Sequence, residues 1–83
     1  MKMPKLRKHD QIVIRWIDSS APAGIWFHEE SVDTETPLEI QSIGYFLEKS
    51  KSQISICMGY HDDEIHGLYY IPIGCIIEIT VVG

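Results

Sequence analysis

Two residues near the end of the chain, Pro72 and Gly74, decide most of what it can fold into. They interrupt an apolar run, Gly67-Leu68-Tyr69-Tyr70-Ile71-Pro72-Ile73-Gly74-Cys75-Ile76-Ile77-Glu78-Ile79. The run then resumes as an alternation, with Ile77, Ile79 and Val81 against Glu78, Thr80 and Val82. Proline has no N–H to give a central ladder, and a glycine two positions later accepts dihedrals that other residues avoid. The stretch therefore reads as strand, one tight turn, strand, with the second strand closing a small sheet.

The rest of the chain supplies that sheet. From Gln11, the residues Ile12, Ile14 and Trp16 face one way and Val13, Arg15 and Ile17 the other, until Asp18-Ser19-Ser20 and Ala21-Pro22-Ala23-Gly24 end the strand. Acidic residues in Ile25-Trp26-Phe27-His28-Glu29-Glu30-Ser31-Val32-Asp33 suit a short helix over about residues 28–33, with an irregular loop as the alternative. Pro37 ends that segment. Leu38 and Ile40 share one parity while Ile43, Tyr45 and Leu47 take the other, which predicts a bulge at Gln41-Ser42. Gly44 beside it fits a corner or a close backbone approach. After the polar turn Lys49-Ser50-Lys51-Ser52, the residues Ile54, Ile56, Met58 and Tyr60 alternate inward against Ser55, Cys57 and Gly59. Residues 65–71 give a fourth strand and 75–82 a fifth. The expected fold is all-β, a small five-stranded, strongly bent antiparallel barrel with one short helix or irregular segment between its first two strands.

Eighty-three residues make one domain, small enough that any assembly hiding more apolar surface is favoured. Residues 1–9 hold Lys2, Lys5, Arg7 and Lys8 and no acid, a charge of +4 that reads as a flexible basic arm. Residues 10–83 form the domain and hold all twelve acids against three basic residues, a charge of −9. An acidic body repels phosphate backbones, so nucleic-acid binding would rest on the arm. No apolar stretch follows the charges of the first residues, and none approaches the ~18 residues of a membrane span. The sequence thus predicts a cytoplasmic protein in which Cys57 and Cys75 are reduced and packed.

The order of these parts resembles the small Src-homology-3-type (SH3-like) and Sm-like barrels, in which four strands precede one tight turn and a short closing strand. Tyr70-Ile71-Pro72-Ile73-Gly74-Cys75-Ile76 is similar to that closing turn. More closely, the chain resembles a group of small, uncharacterised proteins of phages and bacterial mobile elements, some described as Sm-like. The matching pieces are Val13-x-x-Trp16-x-Asp18-Ser19, Trp26-x-x-x-Glu30, Ser42-Ile43-Gly44-Tyr45 and Ile71-Pro72-x-Gly74-Cys75-Ile76, spanning residues 11–80. The resemblance implies the fold and a capacity for ring-like self-assembly. Where Sm-type rings read RNA, this chain has Glu48-Lys49-Ser50-Lys51-Ser52 and Ile73-Gly74-Cys75, without the basic turn those proteins carry.

The residues that could carry chemistry are few. His61-Asp62-Asp63-Glu64-Ile65-His66 packs imidazoles and carboxylates together, with His61, Asp62, Asp63 and His66 as the candidate metal ligands, and His28-Glu29-Glu30 adds three more potential ligands. Their spacing matches no metal signature, and an acidic turn between strands is normally a solubility device. Neither cysteine has a telling histidine partner, and no glycine-rich phosphate loop is present. No cofactor is expected. If an aromatic residue marks a binding surface it is Trp26, with Asp18 and His28 as polar neighbours.

The expected function is therefore a non-enzymatic binding or assembly module. Its fourth and fifth strands should be open edges, and an edge needs a Lys, an internal Pro or a cover to resist pairing. Tyr69, Tyr70, Ile76, Glu78, Val81 and Val82 mark the expected contact, strand four of one copy against strand five of the next, closing a ring. The partner is thus another copy of the chain, with a host or phage protein as a further candidate. Sm-like RNA binding is the alternative, followed by a small-molecule or metal site at the acidic loops or between subunits.

Overall fold

A computed structural model describes residues 1–18, 29–31 and 38–83. Among them the chain is built of strands: β1 (Gln11–Asp18), β2 (Leu38–Lys49), β3 (Gln53–Cys57), β4 (Gly59–His61), β5 (Glu64–His66), β6 (Tyr69–Pro72) and β7 (Ile76–Val81). Single 3-10 turns lie at Glu29–Ser31 and Ile73–Cys75. The all-β expectation holds. Of the short helix predicted over residues 28–33, the described part is the turn at Glu29–Ser31, and the remainder lies outside the described residues.

Five strands form one antiparallel sheet in the order β6-β3-β2-β1-β7, and β4 and β5 form a separate hairpin. The expected closing turn is the one at Ile73–Cys75, which follows Pro72 and carries the chain to β7 beside β1. The sheet does not close on itself: among the described residues β6 and β7 remain its two edges, so the barrel is an open one. No helix among the described residues is long and apolar enough to cross a membrane.

The core is Ile12, Ile14, Trp16, Phe46, Ile54, Ile56, Ile71, Ile76 and Ile79, all buried. Burying each aliphatic side chain contributes about 1.5–3 kcal/mol. In β1 the even positions point inward, as the alternation predicts.

In β2 the expected bulge at Gln41-Ser42 is absent. The register with β1 runs unbroken from Gln11 opposite Tyr45 to Asp18 opposite Leu38. The inward positions are Ile40, Ser42, Gly44 and Phe46, while Ile43 is 60% exposed. Two of the inward residues are small: Ser42 Oγ accepts from the Trp16 indole Nε1 at 3.0 Å, and at Gly44 an added Cβ would meet the Cys57 carbonyl oxygen and Ile56 of β3. The break in register comes later, between Phe46 and Glu48 against β3.

Two further expectations are corrected. The strand predicted over residues 53–60 ends at Cys57, and Met58 (70% exposed) and Tyr60 (44% exposed) leave the core side. The β4–β5 hairpin interrupts what reads as continuous alternation, held at its base by the Met58 N–H on the His66 carbonyl at 2.8 Å. Gly67 then takes φ 70°, a left-handed conformation that suits glycine, and returns the chain to β6. In β7 the register against β1 shifts between Arg15 and Trp16, so Ile76 and Ile79 are buried while Ile77 is turned out. A bulge there replaces the strict alternation of residues 77–82.

Along residues 1–9, Met3 and Leu6 pack against the core cluster. The His9 N–H reaches the Phe46 carbonyl at 2.6 Å, and the His9 ring stacks on Tyr60 at 3.7 Å. The basic segment expected to be a flexible arm thus makes apolar and aromatic contacts with the body.

Candidate interaction surface

In an antiparallel ladder, residue pairs that exchange N–H···O=C bonds alternate with pairs whose polar groups point away from each other. The Val82 N–H donates to the Gln11 carbonyl at 2.8 Å. With Ile12 opposite Val81, Val13 opposite Thr80 and Ile14 opposite Ile79, it is Thr80 that bonds to β1. The backbone N–H and C=O of Ile79 and Val81 therefore point outward. The same reasoning applies to β6, where the Ile73 N–H donates to the Ser52 carbonyl at 2.9 Å and Ser55 lies opposite Tyr70. Tyr70 and Pro72 face the open edge there, and Pro72 has no N–H to offer.

Large apolar side chains stay exposed around these edges: Tyr69, Tyr70, Val81 and Val82. Ile76, expected in the same surface, is instead buried in the core because the bulge turns it inward. Glu78 is the one charge on β7 and is engaged, with Arg15 Nη1 3.4 Å from its Oε1 and Arg15 Nη2 2.8 Å from Glu39 Oε1. The hydrogen bond to Glu39 raises the Arg15 pKa further, with a smaller contribution from Glu78.

Beside β6 an open apolar groove of about 300 Å³ is lined by Ile43, Ile56, Met58, Gly67, Leu68 and Tyr69, with Ser42 and Cys57 at its floor. The Tyr69 ring stands 6.0 Å from Trp16. Among the described residues no histidine, carboxylate or ammonium lines this groove. On the outer face, Glu48, Lys49, Gln53, Ser55 and Tyr70 line a polar depression of about 320 Å³.

Of the predicted binding residues, Asp18 ends β1 opposite Leu38. Trp26 and His28 lie outside the described residues. His61, Asp62, Asp63 and His66 sit on the exposed β4–β5 hairpin, whose turn uses φ 54° at Asp62, a conformation aspartate tolerates. His61 Nε2 is 3.5 Å from Asp62 Oδ2, and among the described residues no three His, Cys, Asp or Glu side chains are grouped to hold a metal. Ile43 and Met58 were read as core and instead wall the groove. Ile43 is outside because the small residues Ser42 and Gly44 take the inward positions, opposite Ile14 and Ile12.

No family model, curated protein or solved structure matches this chain.

Proposed function

We propose that this chain is a non-enzymatic binding or assembly module that self-associates through the open edges of its sheet. The observation that carries this reading is the pair of edge strands, β6 and β7, with outward backbone groups and exposed Tyr69, Tyr70, Val81 and Val82 beside them. Among the described residues no further strand pairs with either edge and neither carries a lysine, and such an edge is a template for another strand. The resemblance to Sm-like proteins of phages and mobile elements supports the same reading. Pairing β6 of one copy with β7 of the next would give a ring, and pairing like with like would give a dimer. Light scattering behind size exclusion, run over a wide concentration range, tests the reading. The expected result is a mass above the 9.5 kDa of one chain. A monomer persisting at high micromolar concentration sinks it.

Nucleic-acid binding is the competing reading, favoured by one observation. Met3 and Leu6 pack on the core and His9 stacks on Tyr60, while Lys2, Lys5, Arg7 and Lys8 of the same segment are exposed. The body charge of −9 opposes it. Fluorescence anisotropy with short single-stranded RNA and DNA at low salt separates the two. Binding that vanishes on deleting residues 1–8 would favour the arm, and no binding at low salt would end this reading.

A further inference from the structure

The two edges of the sheet are not equivalent, and the difference selects a geometry of assembly. Resting on the self-association reading, we infer that two copies pair β7 against β7, antiparallel, about a two-fold axis at Thr80. This would join two five-stranded sheets into one.

Ile79 and Val81 are the β7 residues whose N–H and C=O point away from β1. A two-fold antiparallel pairing that sets Ile79 opposite Val81 of the second copy also sets Val81 opposite Ile79 of that copy. Both become hydrogen-bonded pairs, giving four backbone bonds with none of these donors or acceptors left idle. Thr80 falls between them, opposite its own counterpart.

The side chains agree with this register. Residues directly opposite each other share a face of the sheet. Ile79 is buried on the core side and Val81, on the same side, is 40% exposed, so the pairing covers Val81 with the second copy's Ile79. On the outer face the two Thr80 side chains meet, a favourable cross-strand pair. Glu78 falls opposite Val82, which keeps the two Glu78 carboxylates apart, each still engaged by its own Arg15.

The β6 edge does this less well. Tyr70 is its one residue with both groups outward, and Pro72 supplies only a carbonyl. An antiparallel β6–β7 contact would also set Tyr70, whose side chain is on the outer face, level with a core-facing residue of β7. The core side of one copy would then run into the outer side of the next. A two-fold contact stops at two copies. Two edges of six residues bury less than the ~1,200 Å² of a stable standard interface, so the dimer should dissociate on dilution.

The test uses the full chain. Light scattering should give twice the 9.5 kDa of one chain at high concentration and approach one chain on dilution. Opposed residues of a non-hydrogen-bonded pair have Cα atoms about 4.5 Å apart, within disulfide reach. Thr80→Cys, in a Cys75→Ser background under mild oxidation, should therefore yield one covalent dimer and no larger species. Tyr70→Cys in the same background should yield none. Val81→Pro removes an outward N–H that makes no bond to the described residues of its own chain. It should be monomeric where the parent is dimeric, with circular dichroism reporting its fold. If Val81→Pro unfolds, the Thr80→Cys cross-link still decides. A larger closed assembly without that cross-link overturns the two-fold pairing and leaves self-association standing, whereas a monomer at every concentration overturns both.

Discussion

Trp16 and Ser42 are joined across β1 and β2 by a hydrogen bond of 3.0 Å from the indole Nε1 to the hydroxyl oxygen. Trp16 is 4% exposed, so its N–H has little recourse to water if the hydroxyl is removed. An orphaned buried donor costs about 1–3 kcal/mol. Ser42→Ala should lower unfolding free energy by that amount in a urea titration. Trp16→Phe/Ser42→Ala should show a coupling of about 1 kcal/mol in the double-mutant cycle. A Ser42→Ala chain with the parent's midpoint would mean that the bond contributes nothing.

Gly44 sits one inward position further along β2. A Cβ built there meets the Cys57 carbonyl oxygen at 2.9 Å and Ile56 Cδ1 at 3.1 Å. A backbone oxygen cannot retract without moving β3, so the entropic gain of replacing a strand glycine is overruled by the clash. Gly44→Ala should destabilise by about 1–3 kcal/mol. Gly74, where an added Cβ meets nothing within 4 Å, is the control. Gly74→Ala should be neutral or gain up to about 1 kcal/mol. Equal midpoints for the two variants would contradict the close approach at Gly44.

These two residues also show why part of the fold could be read from the sequence and part could not. β1 was legible because its inward positions are large and apolar: Ile12, Ile14 and Trp16. β2 misled because its inward positions include Ser42, which accepts from Trp16, and Gly44, which lies against Cys57 and Ile56 of β3, while Ile43 and Tyr45 face outward. An apolar-parity argument follows the larger residues and therefore inserts a bulge where none exists. The same argument missed the β7 bulge, because Ile76, Ile77 and Ile79 are chemically alike and only the pairing with Arg15 and Trp16 tells them apart. The edges themselves were legible from the Pro72 and Gly74 turn. Which backbone groups face outward was not, since that depends on register against β1 and β3 rather than on side-chain type.

His9 takes φ 74°, a left-handed conformation unusual for a residue with a side chain. Its ring stacks on Tyr60 at 3.7 Å with planes 12° apart, and Tyr60 in turn meets Tyr45 edge-on at 5.3 Å. The stack offsets a backbone cost of about 1–2 kcal/mol. His9→Gly loses the ring but relieves the backbone, so stability should change little. His9→Val loses the ring and keeps the strain, and should be the least stable of the three. Tyr60→Ala should speed trypsin cleavage after Arg7 and Lys8, because the anchor of the segment is gone. An unchanged cleavage rate would show that Met3 and Leu6 hold it without the stack.

The two thiols give the last prediction. Both are free, Cys57 buried at 1% exposure and Cys75 half-buried beside the closing turn. Cys57 ends β3 opposite Tyr45 and is among the residues that line the apolar groove. A thiol reagent must reach the sulfur, and at 1% exposure Cys57 is out of its reach in the folded chain. In the native chain, titration with a disulfide-exchange reagent should therefore label Cys75 first and leave Cys57 until the fold opens. In strong denaturant both should react together. Cys75→Ser should leave a native chain that reacts only at the rate of opening, which reports the stability of the β2–β3–β6 part of the sheet. Fast native labelling of Cys57 would mean that the groove opens more readily than its packing implies. A failure to label two thiols in denaturant would mean that they are joined.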